Sequence, residues 1–511
     1  MQAVSAGWIN AQSDVLVPLS YLNVSYKVSD PLAVERAKES DNGHIDTASA
    51  LGIFGAAGDD YPRYACLESN AWLLDGRTIA PEMSREKQGY ISSQVSQRQG
   101  QTAPFLSHPI IAITFSEAIK NIMPGITLQW STAYNEFAVG YTLSVYSNNQ
   151  IVYHESIADN KDIMNCFDVM LDTYDTIVLE ISEWSLPNRR ARVEGITIGT
   201  VKVFDKNSIL DFSQTLSADP LSLILPKSEI SFSISNLNGE WNPDNPQGVY
   251  KYLLERQEIT AKYGYKINGA TEWIPCGKFY ISEWNTPQNG IAASFTARDV
   301  LGLADIPFIL PTARTMNLYE LCEIAGAEAG LTGTDVFIDN SLKDYSVTIP
   351  DDFDYTCAEV LQLCANASLC VMRIDRSGSL HIEKLNNSVT DYQINRFNSY
   401  KNAEYEISKP LMQVDVNEGL AVFNASALGE VQKLSNPLIT AQQTAMKLAE
   451  WTAGILSCRR TLSGEYRADP RLDALDIVTV ENKYATQKVV VTEIKYTFNG
   501  AFRGYYEGRA I

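Results

Sequence analysis

The chain has 511 residues; at about 100 to 200 residues per domain that excludes a single compact domain and predicts roughly three or four. Hydrophobic residues make up 45% and charged residues 20%, close to the average folded soluble protein, which removes the disordered, collagen-like and low-complexity classes. The 41 Lys and Arg against 61 Asp and Glu leave a formal charge of −20, so there is no basic field to hold phosphates by counterion release, and a sequence-independent DNA- or RNA-gripping protein is disfavoured.

No apolar run approaches the ~18–20 residues that cross a bilayer, and the opening MQAVSAGWINAQSDV has neither a basic n-region nor an apolar h-region. The expectation is a chain kept in a cytoplasm-like compartment, or one that leaves it without a signal peptide. Eight Cys, at 66, 166, 276, 322, 357, 364, 370 and 458, include no CxxC and sit mostly in apolar segments, as buried thiols do. The four His, at 44, 108, 154 and 381, are scattered, and His154-Glu155 is not continued as HExxH. Neither a metal site nor a cofactor is expected.

Most of the chain alternates in the strand period. Candidate strands run over Ile110 to Phe115, Ile126 to Trp130, Tyr141 to Tyr146, Ile151 to His154, Thr176 to Ile181 and Arg192 to Val203, each bounded by Gly, Asn, Asp or Pro. Short strands at this spacing with no helix between them predict an antiparallel sandwich. A second β block follows. In Ser228 to Ser235, Ile230, Phe232 and Ile234 share one face; Ile259, Ala261, Tyr263, Tyr265 and Ile267 alternate in the next run, and Phe279 to Trp284 and Ile291 to Ala297 continue the pattern. The linker 236–248, with Asn242-Pro243 and Asn245-Pro246, is too proline-rich for a regular element.

From about Ile306 the period changes to that of helices. Leu318, Leu321, Cys322 and Ala325 fall on one face, closed by Gly330; Cys357, Val360, Leu361 and Cys364 repeat the spacing. A hairpin, Leu369 to Ile374 and Ser379 to Lys384, turns at Asp375-Arg376-Ser377-Gly378. The last segment returns to β, with one long helix marked by Ala441, Ala445, Leu448, Thr452 and Ile455 and strands at Ile477 to Glu481 and Lys488 to Phe498.

Catalytic constellations are missing from this long sequence. There is no GxGxxG after a strand, no GxxxxGK[ST] and no GxSxG elbow. Asp59-Asp60 and Asp351-Asp352 are adjacent carboxylates that point apart in a strand or outward in a turn, unlike a glycosidase pair set ~5–9.5 Å apart across a sugar. Cys364, Cys370 and His381 lie in apolar stretches and fit a core better than a thiol–imidazole couple. The basic run Arg189-Arg190-Arg192 fits a solvated loop end better than an anion grip, and Arg459-Arg460 fits compensation of a helix dipole. No catalytic residue is expected. Trp72, Tyr90, Tyr134 and Trp184 are candidate carbohydrate-stacking residues at the end loops of the first β block, where a sandwich would present a ligand; Tyr90 has little apolar company in the polar run Arg85 to Gln101, whereas Trp130 ends a strand and fits the core.

Several segments, taken together, resemble a known family. The run Ser228-Glu229-Ile230-Ser231-Phe232-Ser233-Ile234-Ser235-Asn236-Leu237-Asn238-Gly239-Glu240-Trp241-Asn242-Pro243, then Gly277-Lys278-Phe279-Tyr280-Ile281, Phe295-Thr296-Ala297-Arg298-Asp299-Val300-Leu301 and the late Arg467-Ala468-Asp469-Pro470-Arg471-Leu472 with Asp476-Ile477-Val478-Thr479-Val480, resemble the tail-tip or baseplate hub proteins of phages and prophages that infect Gram-positive bacteria, and related contractile tails. Leu475 stands where that family usually has Gly. The likeness spans Val193 to Ile511. The earlier Trp72-Leu73-Leu74-Asp75-Gly76-Arg77 and Arg190-Ala191-Arg192-Val193-Glu194-Gly195-Ile196 resemble a discoidin-type, galactose-binding-like β-sandwich.

The resemblance implies a mainly β, multidomain chain. Residues 1–51 would supply N-terminal strands of a first hub β-barrel, 52–203 an inserted discoidin-like sandwich, 204–305 the rest of the first barrel, 306–395 a small α+β domain and 396–511 a second barrel with one helix. It also implies a non-enzymatic homotrimer whose two barrels per chain make a threefold ring that caps a sixfold tail tube. The partners would be tube and distal tail proteins, spike or tail-fibre proteins and a tape-measure protein, with DNA only as passing cargo. The location would be the tail of a virion or a tail-like particle such as a tailocin, assembled in the bacterial cytoplasm. The sandwich would bind a host-surface glycan or brace the hub. The rival reading is a tail-associated carbohydrate-binding or cell-wall-degrading protein.

Overall fold

The computed structural model describes residues 1–14, 18–43, 52–58, 63–64, 78–79, 89–120, 122–246, 248–286, 290–331, 336–482 and 484–511, with no side chains described at 13, 63, 64, 78 and 79. The described chain is mainly β, and no helix in it is long and apolar enough to cross a membrane. It divides into two compact units, one made of Met1–Val24, Phe204–Asp244 and Ile259–Ile511, the other of Ser25–Val203 and Asn245–Glu258.

The second unit is a sandwich. One sheet has the antiparallel order Ala37–Asp41, Ile110–Ile119, Tyr174–Trp184, Ala138–Ser147, Gln150–Ile157. The facing strands include Met164–Leu171, Met123–Trp130, Arg190–Asp205 and Tyr90–Val95. All six strands expected here exist; Ala37–Asp41, Tyr90–Val95 and Met164–Leu171 join them. The core is aromatic at its centre: Trp130 meets Tyr141 edge-on at 4.9 Å and Trp184 at 6.1 Å, while Phe115 meets Tyr174 at 5.2 Å. Such edge-to-face pairs add about 0.5–1.5 kcal/mol each to the burial of their rings. Gly195 sits where a Cβ would lie 2.2 Å from the Ala57 backbone nitrogen. Only glycine lets the segment around Ala57 lie this close to strand Arg190–Asp205.

In the first unit the strand order is Glu258–Ile267, Ala270–Asn285, Ala292–Arg298, Lys227–Ser235, Ile209–Ser217, Thr486–Phe498, Phe502–Ala510, Arg460–Tyr466, Glu404–Ile407. Among the described residues, neither of the two barrels expected from the sequence forms a closed barrel. The physical reason is Ile209–Ser217, a strand absent from the expected set. It pairs with Lys227–Ser235 on one side and with the C-terminal half of Thr486–Phe498 on the other, so the first β block continues by hydrogen bonds straight into the last. The N-terminal half of Thr486–Phe498 pairs instead with Ile477–Glu481, which carries Val389–Ile394 in parallel on its far side.

Besides the short N-terminal helix Ala6–Ser13, the same unit holds three helices that share one core: α1 (Leu318–Glu328), α2 (Cys357–Ala367) and α3 (Gln442–Leu456). Asn317 with Glu320, and Thr356 with Glu359, form reciprocal capping boxes that start the first two. The hairpin Val371–Ile374 and Leu380–Glu383 forms as expected, and Val336–Ile338 adds a parallel strand. One hydrophobic core holds α1, α2, the hairpin, strand Leu411–Val416 and α3 together, through Leu321, Cys364, Met372, Val414 and Leu448.

Candidate functional site

In the sandwich the loop from Ser131 to Glu136 crosses from one sheet to the other, beside the crossing from Trp184 to Arg190. Two buried glutamates shape this end. Glu194 accepts from Gln129 Nε2 at 3.0 Å, Thr132 N at 2.9 Å and Thr132 Oγ1 at 2.6 Å. Glu136 accepts from Trp184 Nε1 at 2.9 Å and faces Arg189 Nε at 3.2 Å and Arg192 Nη1 at 3.6 Å. Burial pushes both carboxyls above the ordinary glutamate range in spite of these partners. The Arg192 guanidinium lies 4.4 Å from the centroid of the Tyr134 ring, a cation–π contact.

The four carbohydrate candidates fare differently. Trp72 lies outside the described residues. Tyr90 and Trp184 are each 1% exposed; Tyr90 pairs with Val193 inside the sandwich core, and neither ring offers a face for stacking. Tyr134 is half-buried and keeps exposed surface. Glu136 and Arg192 bring Tyr134 and Trp184 together, while Tyr90 stands apart on its own strand. The arginine run is a correction: it is no solvated loop end, since the Arg189 and Arg192 side chains are 13% and 5% exposed and Arg190 donates to Ser92 O at 2.8 Å. The sequence signal for this cluster was Glu194, set among the apolar residues of strand Arg190–Asp205, where an uncompensated charge would be untenable; Glu136 lies in a loop and carries no such signal.

In the first unit the quoted motifs form turns and caps. Asn236 Oδ1 accepts from Trp241 N at 3.0 Å, and Gly239 takes a φ of +66° in the turn between them. The turn drops Trp241 against Phe295, ring centres 5.1 Å apart. Buried Asp299 accepts from Leu301 N at 2.9 Å and from Ser228 N, so it ties the start of strand Lys227–Ser235 to the end of Ala292–Arg298; burial raises its carboxyl to about 7. Asp469 accepts from Trp8 Nε1 at 3.3 Å and from Arg471 Nε at 2.8 Å and Nη2 at 2.6 Å. Arg376, 3% exposed in its side chain, pairs with Asp473 and donates to Leu472 O at 2.8 Å and Pro275 O at 3.3 Å. Leu475 takes a φ of +70°.

Five of the described thiols are core residues, Cys276, Cys322, Cys357, Cys364 and Cys370, while Cys166 is exposed and Cys458 half-buried. His381 does not meet Cys364 or Cys370. Its Nε2 faces Asp375 Oδ2 at 3.0 Å and its Nδ1 faces Glu383 Oε2 at 3.9 Å. Arg459 donates to Ser408 O at 2.7 Å, which ties it to a neighbouring strand end. These are structural ion pairs and hydrogen bonds; elsewhere, in the sandwich, Ser144 Oγ lies 3.0 Å from His154 Nδ1 across two neighbouring strands.

No protein-family model and no curated protein matches the chain. Among solved structures, it is similar to the 43 kDa tail protein of prophage MuSo2 from Shewanella oneidensis, at 14% identity and a TM-score of 0.43 over 60% of this chain and 94% of that one. It is similar to a tail protein from Neisseria meningitidis, at 13% and 0.43 over 61% and 93%. The prophage tail protein gp18 from Listeria monocytogenes gives 10% and 0.40 over 61% and 91%. At these values the likenesses are partial ones of fold, and they assign no activity.

Proposed function

We propose that this chain is a non-enzymatic hub at the tip or baseplate of a phage tail or a phage-tail-like particle, of the kind carried by phages of Gram-positive bacteria. Three copies form a ring that adapts a sixfold tube to a threefold tip, and tube, spike or fibre and tape-measure proteins dock on it. The observation that carries this reading is the fate of the quoted motifs. Asn236, Trp241, Asp299 and Asp469, spread over more than two hundred residues of sequence, each hold a turn or strand end in one sheet-forming unit. Such an ordered set of turns suits a scaffold whose β blocks must be placed accurately, and each of these residues is hydrogen-bonded to a backbone or neighbouring side-chain group. Pairing of open strand edges between copies would satisfy backbone groups that a lone chain leaves to water. Net negative charge suits a lumen through which DNA slides.

The sandwich is the discoidin-like accessory, and its glycan-facing residue is Tyr134, which among the described candidates is only partly buried and carries Arg192 over its ring. Negative-stain imaging of the full chain tests the hub reading: threefold rings with an axial opening are expected, and a persistent monomer overturns it. The glycan reading fails separately if Tyr134→Ala leaves binding on a bacterial-glycan array unchanged. Clearing of cell walls in a zymogram would favour a wall-degrading tail protein.

A further inference from the structure

The sheet of the first unit ends on a strand that no other strand among the described residues pairs on its outer side, although Asn482 donates to the Tyr405 hydroxyl. Glu404–Ile407 pairs with Arg460–Tyr466 on one side and stands last in the strand order. Its hydrogen-bonded run is longer than the strand itself, since Tyr400 N donates to Glu465 O at 3.0 Å and Ser408 N to Arg459 O at 2.9 Å. The outward backbone donors and acceptors of residues between these points form an open template for another strand.

The two faces of this edge differ in chemistry. Tyr405 sits opposite Leu462, a fully buried residue, and so lies on the core face of the sheet; it is nevertheless 43% exposed, and Ile407 on the same face is 63% exposed. The apolar face of the sheet thus runs past its last covered residue. The other face is acidic. Glu404 and Glu406 stand opposite Ser463 and Thr461, Glu465 follows on that strand, and on the next Glu507 stands opposite Ser463 and Arg509 opposite Thr461, its guanidinium donating to Cys458 O at 3.0 Å. Four carboxylates against one guanidinium leave this end of the face net negative, and attractive to cations.

We propose that this edge accepts, by strand addition, an extended segment of another protein in which Lys or Arg alternates with aliphatic residues. Such a segment would complete the backbone ladder, lay its aliphatic side chains beside Tyr405 and Ile407, and set its cations against Glu404 and Glu406. Charge complementarity argues against a second copy as the occupant: this chain carries −20 overall, and its edge strands Ala37–Asp41, Gln150–Ile157, Met164–Leu171, Ala421–Asn424 and Glu430–Leu434 offer no row of Lys or Arg. The edge would take such a segment whether or not the chain is a hub.

The test uses the full chain and two short synthetic peptides, one alternating Lys with Ile and one alternating Glu with Ile, with amide hydrogen exchange of residues 404–407 as the readout. The Lys peptide should slow exchange there by at least about tenfold, the Glu peptide should not, and in the Glu404→Lys/Glu406→Lys variant the preference should reverse. The reversed preference also reports that the variant is folded at this edge. Failure of the Lys peptide to slow exchange overturns the proposal, as does equal slowing by both peptides. Slowing that follows protein concentration with no peptide present overturns it in favour of a second copy.

Discussion

Leu475 carries a side chain in backbone space where most residues other than glycine are strained. Its φ is +70°, a region that costs an ordinary side chain roughly 1–3 kcal/mol. The position is retained because Leu475 packs with Ala218, Val371, Ile477 and Val490, and because its N–H donates to Val491 O at 2.7 Å. Burial of the leucine offsets the strain. Two substitutions separate these terms. Leu475→Ala keeps the strained Cβ and loses the packing, at a cost of about 3 kcal/mol. Leu475→Gly loses the same packing but relieves the strain, and is expected to be at least as stable as the alanine variant, by about 1 kcal/mol. Denaturant midpoints of the two variants measure the difference; a glycine variant clearly weaker than the alanine one would show that Leu475 sits there without strain.

At the scale of elements, a hairpin turn is tied to the turn that contains Leu475. Arg376, in the turn of hairpin Val371–Ile374 and Leu380–Glu383, reaches Asp473 and the carbonyls of Pro470 and Leu472. Burial works against both charges, yet the pair holds Asp473 below the ordinary aspartate range and Arg376 above its own. Arg376→Met keeps much of the volume and leaves the half-buried Asp473 with Gln2 Nε2 at 2.7 Å and the Met1 ammonium at 3.6 Å as partners, so its cost should fall below the roughly 3–5 kcal/mol of a buried charge left wholly unpaired. Adding Asp473→Asn should recover part of that loss, and a double-variant cycle on thermal unfolding reads the coupling; strict additivity would mean that the pair contributes nothing as a pair. None of this was legible beforehand. Asp375-Arg376-Ser377-Gly378 read correctly as a turn, but a turn residue gives no local sign that its guanidinium is buried in a distant one. Strand Ile209–Ser217 escaped for a related reason: Gln214, fully buried, occupies one of its core positions by donating to Cys276 O at 2.8 Å and accepting from Tyr263 Oη, so the apolar alternation is broken there. The strands of the sandwich were legible because each carries its own alternation. Tyr90 was not, since its apolar company comes from Val193 and the core around it and not from its neighbours in sequence.

For the whole molecule, the decisive quantity is charge. Each copy carries −20, and the proposed ring of three copies would bring like charges within reach of one another. At 0.01 M ionic strength the Debye length is about 30 Å and neighbouring copies feel this repulsion across their full contact; at 0.15 M it falls to about 8 Å and only groups at the interface still interact. If contacts between copies are made by backbone pairing and apolar side chains, assembly should strengthen as salt rises over this range, opposite to the behaviour of an interface built on complementary charges. The proposed basic segment should behave the other way, since Glu404 and Glu406 attract it, and its affinity should fall with salt. Sedimentation of the full chain across the salt range checks the first expectation, and peptide titration under the same conditions checks the second. Ring assembly that dissolves as salt is added would mean that the copies meet through opposite charges, and the open apolar edges would then have no part in holding them together.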